Sequence, residues 1–491
     1  MELVKTGNNA TVFPGNSAVL SLLQRDEPGE PGHYFIESRY NDWAKDSSSL
    51  TELLRATCHE DAEQAVELVL NDGVDINARA SDNDYTALLW ASRSSSSQFI
   101  ETLIDLGADV NAQRTESKET PLMLAANWNN NMAASLIVKH GANVNVQDRY
   151  GYTVLFTLVS SVNEELVKLM LEYNAEVNIQ DNEGKTPLHF LDEEVEENVV
   201  RLLLEHNADV DVQDNEGKTP LHYLVDENEE YLVRLLLEHN ADVNIQDIKG
   251  KTPLHYLVGE NEEYLVRSLL EHNADANLQD NEGKTPLHYL VSENEEFLVR
   301  LLLEHNVDVN IQDMNGVTLL HLSVDEDNET FVTMLLELNA NINIQDKYGN
   351  TPLHRSVVRG NVNLVRLLLK HNADVNIQDN KGKTPLHYLV DEDEEFLVRL
   401  LLEHNADVNI QDAEGATPLH LSVDEGNEAV VAMLLEHSAD INIEDNDGYT
   451  PLYQAFAIGD VTLVELLIEH NEDASSYRTA TSRPPLIHFF P

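Results

Sequence analysis

Two sets of histidines recur with a 33-residue period, and histidine is the side chain that most readily suggests metal binding. The first set comprises His189, His222, His255, His288, His321, His354, His387 and His420. The second comprises His206, His239, His272, His305, His371, His404 and His437. A metal site needs two to four ligands that converge on one ion at about 2 Å. Histidines spaced by a whole repeat lie too far apart for that, so we predict no metal and no cofactor.

A cysteine beside a histidine, Cys58 and His59, is the second candidate for chemistry, as a thiol nucleophile. No orienting framework surrounds this pair. The sequence also contains no Gly-rich phosphate loop, no G-x-S-x-G elbow and no paired-cysteine metal motif. We therefore predict that the protein is not an enzyme and that Cys58 is a small packing residue.

Acidic residues form the third recurring set, and their chemistry is the attraction of basic chains. In "VDENEEYLV", residues 225–233, four acids surround an asparagine. Acids recur at equivalent places along the sequence. The set comprises Glu193, Glu194, Asp226, Glu227, Glu260, Glu293, Asp325, Glu326, Asp391, Glu392, Asp424 and Glu425.

One segment reverses this charge. Residues 346–378 contain five basic and two acidic residues, a local net charge of +3. Arg355 and Arg359 stand here among the acids of the neighbouring segments. They either relieve repulsion between those segments or contact an acidic or aromatic residue of a partner, since arginine is favoured at binding hot spots.

Threonine marks the period that carries all of these residues. The 33-residue spacing is exact along the series Thr120, Thr153, Thr186, Thr219, Thr252, Thr285, Thr318, Thr351, Thr384, Thr417 and Thr450. Thr86 precedes Thr120 by one position more than this period, and a looser unit begins at Thr51. About thirteen repeats therefore fill residues 51–474, and each is named below by its threonine.

Each repeat predicts two helices and an extended finger. In the Thr219 repeat, Thr219 is a good helix N-cap and Pro220 suits the first helical position. Leu221 and Leu224 have helical spacing, and a second leucine-rich helix ends before Asn240, which favours a left-handed cap. "ADVNIQDIKG" then alternates like a hairpin leading into the next repeat.

The helix positions divide the acids of "DENEE" into two groups. We expect Asn228 to cap the second helix and Glu229 and Glu230 to lie in its first turn, where negative charge is favourable by roughly 0.3–1 kcal/mol. Asp226 and Glu227 fall near the C-terminal end of the first helix, where the helix dipole disfavours acids. Only the second group calls for a functional explanation.

The 33-residue period with "DNEGKTPLHYLV…LVRLLLEHNADVNIQ" resembles the ankyrin repeat, over about 85% of the chain. The resemblance implies an all-α repeat solenoid of helix-turn-helix units with β-hairpin-like fingers, stacked into a curved, elongated object. It also implies that the T-P-L-H histidines hydrogen-bond within and between repeats. Ankyrin proteins usually bind other proteins in a concave groove lined by the first helices and the finger tips.

The same resemblance places the acids of the first helices in that groove. We expect an electrostatic groove for a basic protein; the alternative is a face that only confers solubility. The tyrosines of the first helices are also open to two readings, because they either pack between helices or line the groove as anchors. They are Tyr223, Tyr256, Tyr289 and Tyr388.

The chain departs from the family pattern after T-P-L-H, where most ankyrin repeats have small alanines. Leu224, Leu257, Leu290 and Leu389 occupy that position, whereas Ser323, Ser356 and Ser422 keep a small residue there. Additional methylenes in a fixed core cost about 1–3 kcal/mol, so we expect local adjustment of the helices.

The flanks fall outside the repeats. Residues 1–50 are expected to be partly disordered or to cap the first repeat. Residues 475–491 either shield the last repeat, dock elsewhere or fray. Some ankyrin proteins of viruses and bacteria end in a segment that recruits a ubiquitin ligase, but such a segment needs more helical residues than this tail has.

Composition sets the remaining expectations. The net charge of −57 disfavours nucleic acid and anionic membranes, one cysteine fits a reducing compartment, and no apolar run is long enough for a membrane span. We predict a cytoplasmic, monomeric, non-enzymatic scaffold or adaptor that binds partners with basic surfaces. The alternative is a substrate-recruiting subunit of a ubiquitin ligase, or a host-directed effector, in which the repeats select the target.

Overall fold

The computed structural model describes residues 49–80, 84–93, 95–161, 163–191, 197–257, 262–293, 295–305, 307–390 and 394–475. The expectations for residues 1–48 and 476–491 therefore lie outside the described residues. None of the helices within the described ranges is long and apolar enough to cross a membrane. The described residues divide into two compact parts: those up to Leu257 with Arg267–Ala274, and Glu262–Val266 with those from Asp275 onward.

The first part is a series of helical pairs. Its helices are α1 (Ser49–His59), α2 (Ala62–Leu70), α3 (Ala87–Ala91), α4 (Ser97–Asp105), α5 (Pro121–Asn127), α6 (Asn131–Lys139), α7 (Val154–Ser160), α8 (Glu164–Glu172), α9 (Glu197–Glu205), α10 (Pro220–Asp226) and α11 (Glu230–Glu238). In two repeats a 3₁₀ turn replaces the first helix, at Pro187–Phe190 and Pro253–Tyr256. Helix α12 (Glu263–Glu271) is divided between the two parts.

The second part continues the same order. Its helices are α13 (Pro286–Ser292), α14 (Glu296–Leu303), α15 (Leu319–Asp325), α16 (Glu329–Glu337), α17 (Pro352–Val358), α18 (Val362–Lys370), α19 (Glu395–Glu403), α20 (Pro418–Asp424), α21 (Glu428–Glu436), α22 (Pro451–Ile458) and α23 (Val461–Ser475). A third 3₁₀ turn lies at Pro385–Tyr388. The predicted all-α repeat architecture is confirmed.

In the eight repeats that contain the first-set histidine, a threonine and this histidine fix the start of the first helix or 3₁₀ turn. The backbone N–H of Thr219 donates to Nδ1 of His222 at 3.1 Å, and the two side chains meet at 2.9 Å. Because Nδ1 accepts, Nε2 carries the proton, and it donates to the carbonyl of Lys251 in the next repeat at 3.2 Å. The histidine therefore caps its own helix and ties it to its neighbour. This geometry agrees with the structural role that the resemblance implies.

The turn between the two helices differs from our expectation. Asn228 does not cap the second helix; it has a left-handed backbone with φ +60°, and the N-cap residue is Glu229. Gly360 and Gly426 occupy the equivalent position, also with positive φ, and the asparagine that follows each of them caps the helix. The "DENEE" repeat therefore has its asparagine one residue too early to act as the cap. Asn240, with φ +62°, ends the second helix as predicted.

The fingers are formed by turns, and the described residues contain no strand. Oδ1 of Asp214 accepts from the amides of Glu216 and Lys218 and closes the finger tip. Nε2 of Gln213 donates to the carbonyl of Gly217 at 2.8 Å and to that of Gln246 at 3.1 Å. One side chain thus holds a finger and links it to the next.

Packing repeats along each part. First helices contact the first helices of adjacent repeats, as α3 contacts α5 and α15 contacts α17. Second helices contact second helices in the same way, as α4 contacts α6 and α18 contacts α19. Leucines and valines of both helices fill the space between them. A repeat cannot bury its apolar face alone, so stacking supplies the core.

Some repeats with a leucine five residues after the repeat threonine have a 3₁₀ turn in place of the first helix. The leucines that follow the three 3₁₀ turns are Leu191, Leu257 and Leu389. The repeats with Ser323, Ser356 or Ser422 keep an α-helix. The leucine does not force the change, because Leu224 and Leu290 lie within α10 and α13.

Candidate functional site

The described acids of the predicted site end the first helices. Asp226 is the last residue of α10 and Glu227 is its C-cap, and Asp424 and Glu425 have the same places on α20. All four are exposed. The carbonyl groups at a helix C-terminus carry partial negative charge, so acids there raise the local energy. The position near the C-terminal end of a first helix, which the sequence predicts, is confirmed for these four residues.

The second part contains three further acids in this position. Glu293 is the C-cap of α13, Asp325 ends α15, and Glu326 is its C-cap. The remaining predicted residues, Glu193, Glu194, Glu260, Asp391 and Glu392, lie outside the described residues. Partial burial raises the pKa of Asp424 and the charge of Asp445 adds to this effect, although His420 acts in the opposite direction. Incomplete solvation therefore disfavours the charged form of this carboxyl group.

Arg355 is held between two carboxylates. Its guanidinium hydrogen-bonds Asp325 of the preceding repeat and Oδ2 of Asp346 in its own finger, the latter at 2.7 Å. The side chains of Arg355 and Asp346 are 19% and 1% exposed. Burial alone would raise the pKa of Asp346. Hydrogen bonds from Arg355 and two backbone amides outweigh burial, and the pKa is lowered.

Arg359 is bound much less tightly. It is the C-cap of α17, it is exposed, and its Nε lies 3.9 Å from Oδ1 of Asp327. Val358, which precedes it, is 62% exposed. Val358 and Arg359 stand where the Thr219 and Thr417 repeats have an Asp–Glu pair. The Thr351 repeat therefore presents an apolar and a basic residue where the others present acids.

A contact that the sequence did not predict joins each tyrosine to a finger. The hydroxyl of Tyr223 donates to Oδ2 of Asp214 at 2.6 Å, and Tyr256 bonds Asp247 at the same distance. The pattern Asp, eight residues and Tyr recurs with the 33-residue period and would have indicated it. The tyrosines are half-buried, and burial together with the adjacent carboxylate raises the pKa of both. These hydrogen bonds attach the first helix to its finger.

Lysines complete this arrangement. Nζ of Lys185 lies 5.1 Å from the ring of Tyr223, and Nζ of Lys218 lies 5.1 Å from that of Tyr256. A cation within about 6 Å of an aromatic face is attracted to it. His189 also meets Tyr223 edge-on at 6.0 Å. Tyr223 is therefore surrounded by its finger, by lysines and by the histidine of the preceding repeat.

In two of the repeats that lack the tyrosine, a buried carboxylate oxygen has no hydrogen-bond partner. Phe190 and Leu421 occupy its position, and Oδ2 of Asp181 and of Asp412 is buried without a hydrogen bond. Burial raises the pKa of Asp181. Loss of one hydroxyl thus removes the hydrogen bond on which the buried carboxylate depends.

The two histidine sets occupy different environments. Histidines of the first set are buried, and this burial lowers the pKa of His189 and His387 to about 4. Those of the second set end the second helices, where Nδ1 of His371 meets the carbonyl of Leu367 at 3.0 Å. Within the ranges that the structure describes, no cluster of three or more histidines, cysteines or acids has the geometry for a metal ion.

Cys58 lies on α1 and is half-buried. Desolvation raises the pKa of its thiol to about 11, although a contact with Trp90 acts in the opposite direction. A thiol with so high a pKa is almost entirely protonated near neutral pH, whereas the nucleophile is the thiolate.

Comparisons with known proteins agree with this architecture. The family described as "Ankyrin repeats (3 copies)" matches residues 112–181, 158–247, 232–313, 254–346, 320–412 and 397–479, and "Ankyrin repeat" matches residues 83–115. The chain belongs to the ankyrin-repeat family. Ankyrin repeats form protein–protein interaction domains and are generally non-catalytic.

One solved ankyrin domain is similar to part of the chain. The solved ankyrin repeat domain of Bcl-3, described as a unique member of the IkappaB protein family, is 29% identical. It covers 45% of this chain and 99% of its own, with a TM-score of 0.41. No curated protein gives a significant match.

Proposed function

We propose that the protein is a non-enzymatic scaffold or adaptor that binds a partner with a basic surface. The observation that carries this proposal is the repeated placement of exposed acids at the C-terminal ends of first helices. A helix dipole disfavours negative charge there, so local stability does not explain these residues. A basic chain bound along them would offset the repulsion.

The contact residues in this proposal are the acids of the predicted site. The described members are Asp226, Glu227, Glu293, Asp325, Glu326, Asp424 and Glu425. Arg359 and Val358 add a different contact to this surface, suited to an acidic or apolar residue of the same partner. The contacts of Arg355 with Asp325 and Asp346 favour a neutralising role for that residue.

Composition supports the cellular setting of the proposal. The net charge of −57 opposes binding to nucleic acid and favours basic proteins. A single cysteine suits a reducing compartment, so we place the protein in the cytoplasm. We further propose that it is a monomer.

The test compares two sets of charge-neutralised variants of the full chain. The first carries Asp226→Asn, Glu227→Gln, Asp424→Asn and Glu425→Gln. The control carries Glu230→Gln and Glu428→Gln with Glu263→Gln and Glu329→Gln, all in the first turns of second helices. Both sets remove the same charge. Partners captured by the wild-type chain are identified by mass spectrometry, purified and titrated against each protein.

We expect the first set to weaken binding of the purified partner by about tenfold or more, and the control to change it much less. Affinity of the wild-type chain should also fall steeply between low and physiological salt. Equal effects of the two sets, or affinity that does not respond to salt, would leave the acids with a role in solubility only.

A further inference from the structure

The last described repeat presents an apolar surface to solvent. On α22, Tyr453 is 54% and Phe456 is 55% exposed, and Ile468 of α23 is 39% exposed. The ring of Tyr453 stacks on that of Tyr449 at 4.7 Å, so the aromatic surface continues onto the finger. We call these four residues the terminal face.

The corresponding surface of the preceding repeat is covered. His420, Val423 and Leu435 lie one repeat before Tyr453, Phe456 and Ile468, and they are 0%, 0% and 7% exposed. Helices α22 and α23 pack against α20 and α21 and cover them. The terminal face is therefore a stacking surface without the next repeat. A terminal repeat ordinarily needs a polar outer face, and this one is aromatic.

We propose that residues 476–491 of the same chain cover the terminal face. This segment contains Leu486, Ile487, Phe489 and Phe490, and its charged side chains are those of Arg478 and Arg483. Helices α22 and α23 and the turn between them carry Asp460, Glu465 and Glu469. The segment thus matches the face in both apolar character and charge, in a chain that is otherwise strongly acidic.

The segment is long enough to reach the face. Helix α23 has 15 residues, against nine in α21, and spans roughly 22 Å. The ten residues 476–485 extend up to about 33 Å before Leu486. They can run back along α23 and bring Phe489 and Phe490 to Tyr453 and Phe456.

The first test replaces Phe489 in the full chain with benzoylphenylalanine, which forms a covalent bond to the groups that it touches when irradiated. We expect the linked peptides to come from residues 449–468 of the same chain. Mixing ¹⁴N- and ¹⁵N-labelled chains before irradiation separates intramolecular from intermolecular products. A matched control places the same probe at Thr479, within the proposed connecting stretch, and should give few links to the terminal face.

The second test does not depend on the probe. We expect Phe489→Asp with Phe490→Asp to speed hydrogen exchange in α22 by about tenfold and to increase binding of an apolar dye. Thr479→Asp with Thr481→Asp should change neither. Links of mixed isotope would identify a second copy as the occupant and overturn the proposal. An absence of links to the terminal face, with unchanged exchange, would overturn it equally.

Discussion

The Arg355 guanidinium lies between Asp325 and the buried Asp346, and this position separates its role from that of Arg359. We expect Arg355→Leu to lower the free energy of unfolding by about 2 kcal/mol or more, because it leaves a buried carboxylate without its cation. Arg359→Leu should cost less than about 0.5 kcal/mol, since its pair is exposed and long. Urea unfolding of both variants measures the difference.

The affinity for the partner can be measured with the same two variants. If Arg359 is a contact, Arg359→Leu weakens binding while the free energy of unfolding stays near that of the wild type. A variant that loses binding only when it also loses stability would show that the arginine acts through the fold. Equal stability losses in Arg355→Leu and Arg359→Leu would contradict the buried ion pair.

The tyrosine hydroxyls offer a reciprocal experiment. Tyr223→Phe removes the donor to Asp214 and should destabilise the protein by about 1–2 kcal/mol. Phe190→Tyr should have the opposite sign, because it offers a hydroxyl to Oδ2 of Asp181. Unfolding free energies of the two variants provide the measurement. Destabilisation by Phe190→Tyr would mean that its aromatic cluster with Tyr152 has no room for the hydroxyl.

At the scale of the helix, the capping histidines predict a pH dependence. Burial, and then the charge of Arg355, lower the pKa of His321 from 6.5 to about 4. In the unfolded chain this pKa is near 6.5, so between these values only the unfolded state binds the proton. The stability that neutral His321 contributes is fully present above pH 6.5 and is lost as the pH falls toward 4. The groups that face His321 are Arg355, Asp346 and Asp313.

Urea unfolding at several pH values between 4 and 7 measures this effect. His321→Gln should reduce the slope of unfolding free energy against pH by up to about 1.4 kcal/mol per pH unit, which corresponds to one proton. His371→Gln is the control, since His371 ends a second helix and its ring is partly exposed. A slope unchanged by His321→Gln would show that other groups cause the acid sensitivity.

Also at the scale of the helix, sequence predicted the repeat and the order of its elements but not the conformation of each one. Threonine, proline and leucine spacing determine where the first helices begin. The octapeptide Lys-Thr-Pro-Leu-His-Tyr-Leu-Val occurs at residues 218–225, 251–258, 284–291 and 383–390. It begins an α-helix in the first and third cases and a 3₁₀ turn in the second and fourth. Identical local sequence cannot determine two conformations, so packing and the following residues do.

The candidate site divides in the same way. Asp226 and Glu227 could be identified from the sequence, because the repeat predicts where the first helix ends and the helix dipole disfavours acids there. The contacts of Arg355 with Asp346 and of Tyr223 with Asp214 were not predicted, since both carboxylates lie nine residues away in a finger. A periodic sequence shows which residues are equivalent in successive repeats. Which side chains contact each other depends on how the backbone brings the helices and fingers together.

At the scale of the whole molecule, a net charge of −57 predicts that salt stabilises the protein. Like charges repel over about 30 Å at 0.01 M ionic strength and over only about 8 Å at 0.15 M. Raising sodium chloride between these values should raise the unfolding temperature by several degrees, because screening relieves repulsion in the folded state. Thermal unfolding followed by circular dichroism measures the shift, and sucrose of equal osmolality is the control.

The variant with Asp226→Asn, Glu227→Gln, Asp424→Asn and Glu425→Gln should respond less to salt than the wild type. An unfolding temperature that is independent of salt would mean that the local pairs, such as Arg355 with Asp325, already neutralise the repulsion among neighbouring repeats.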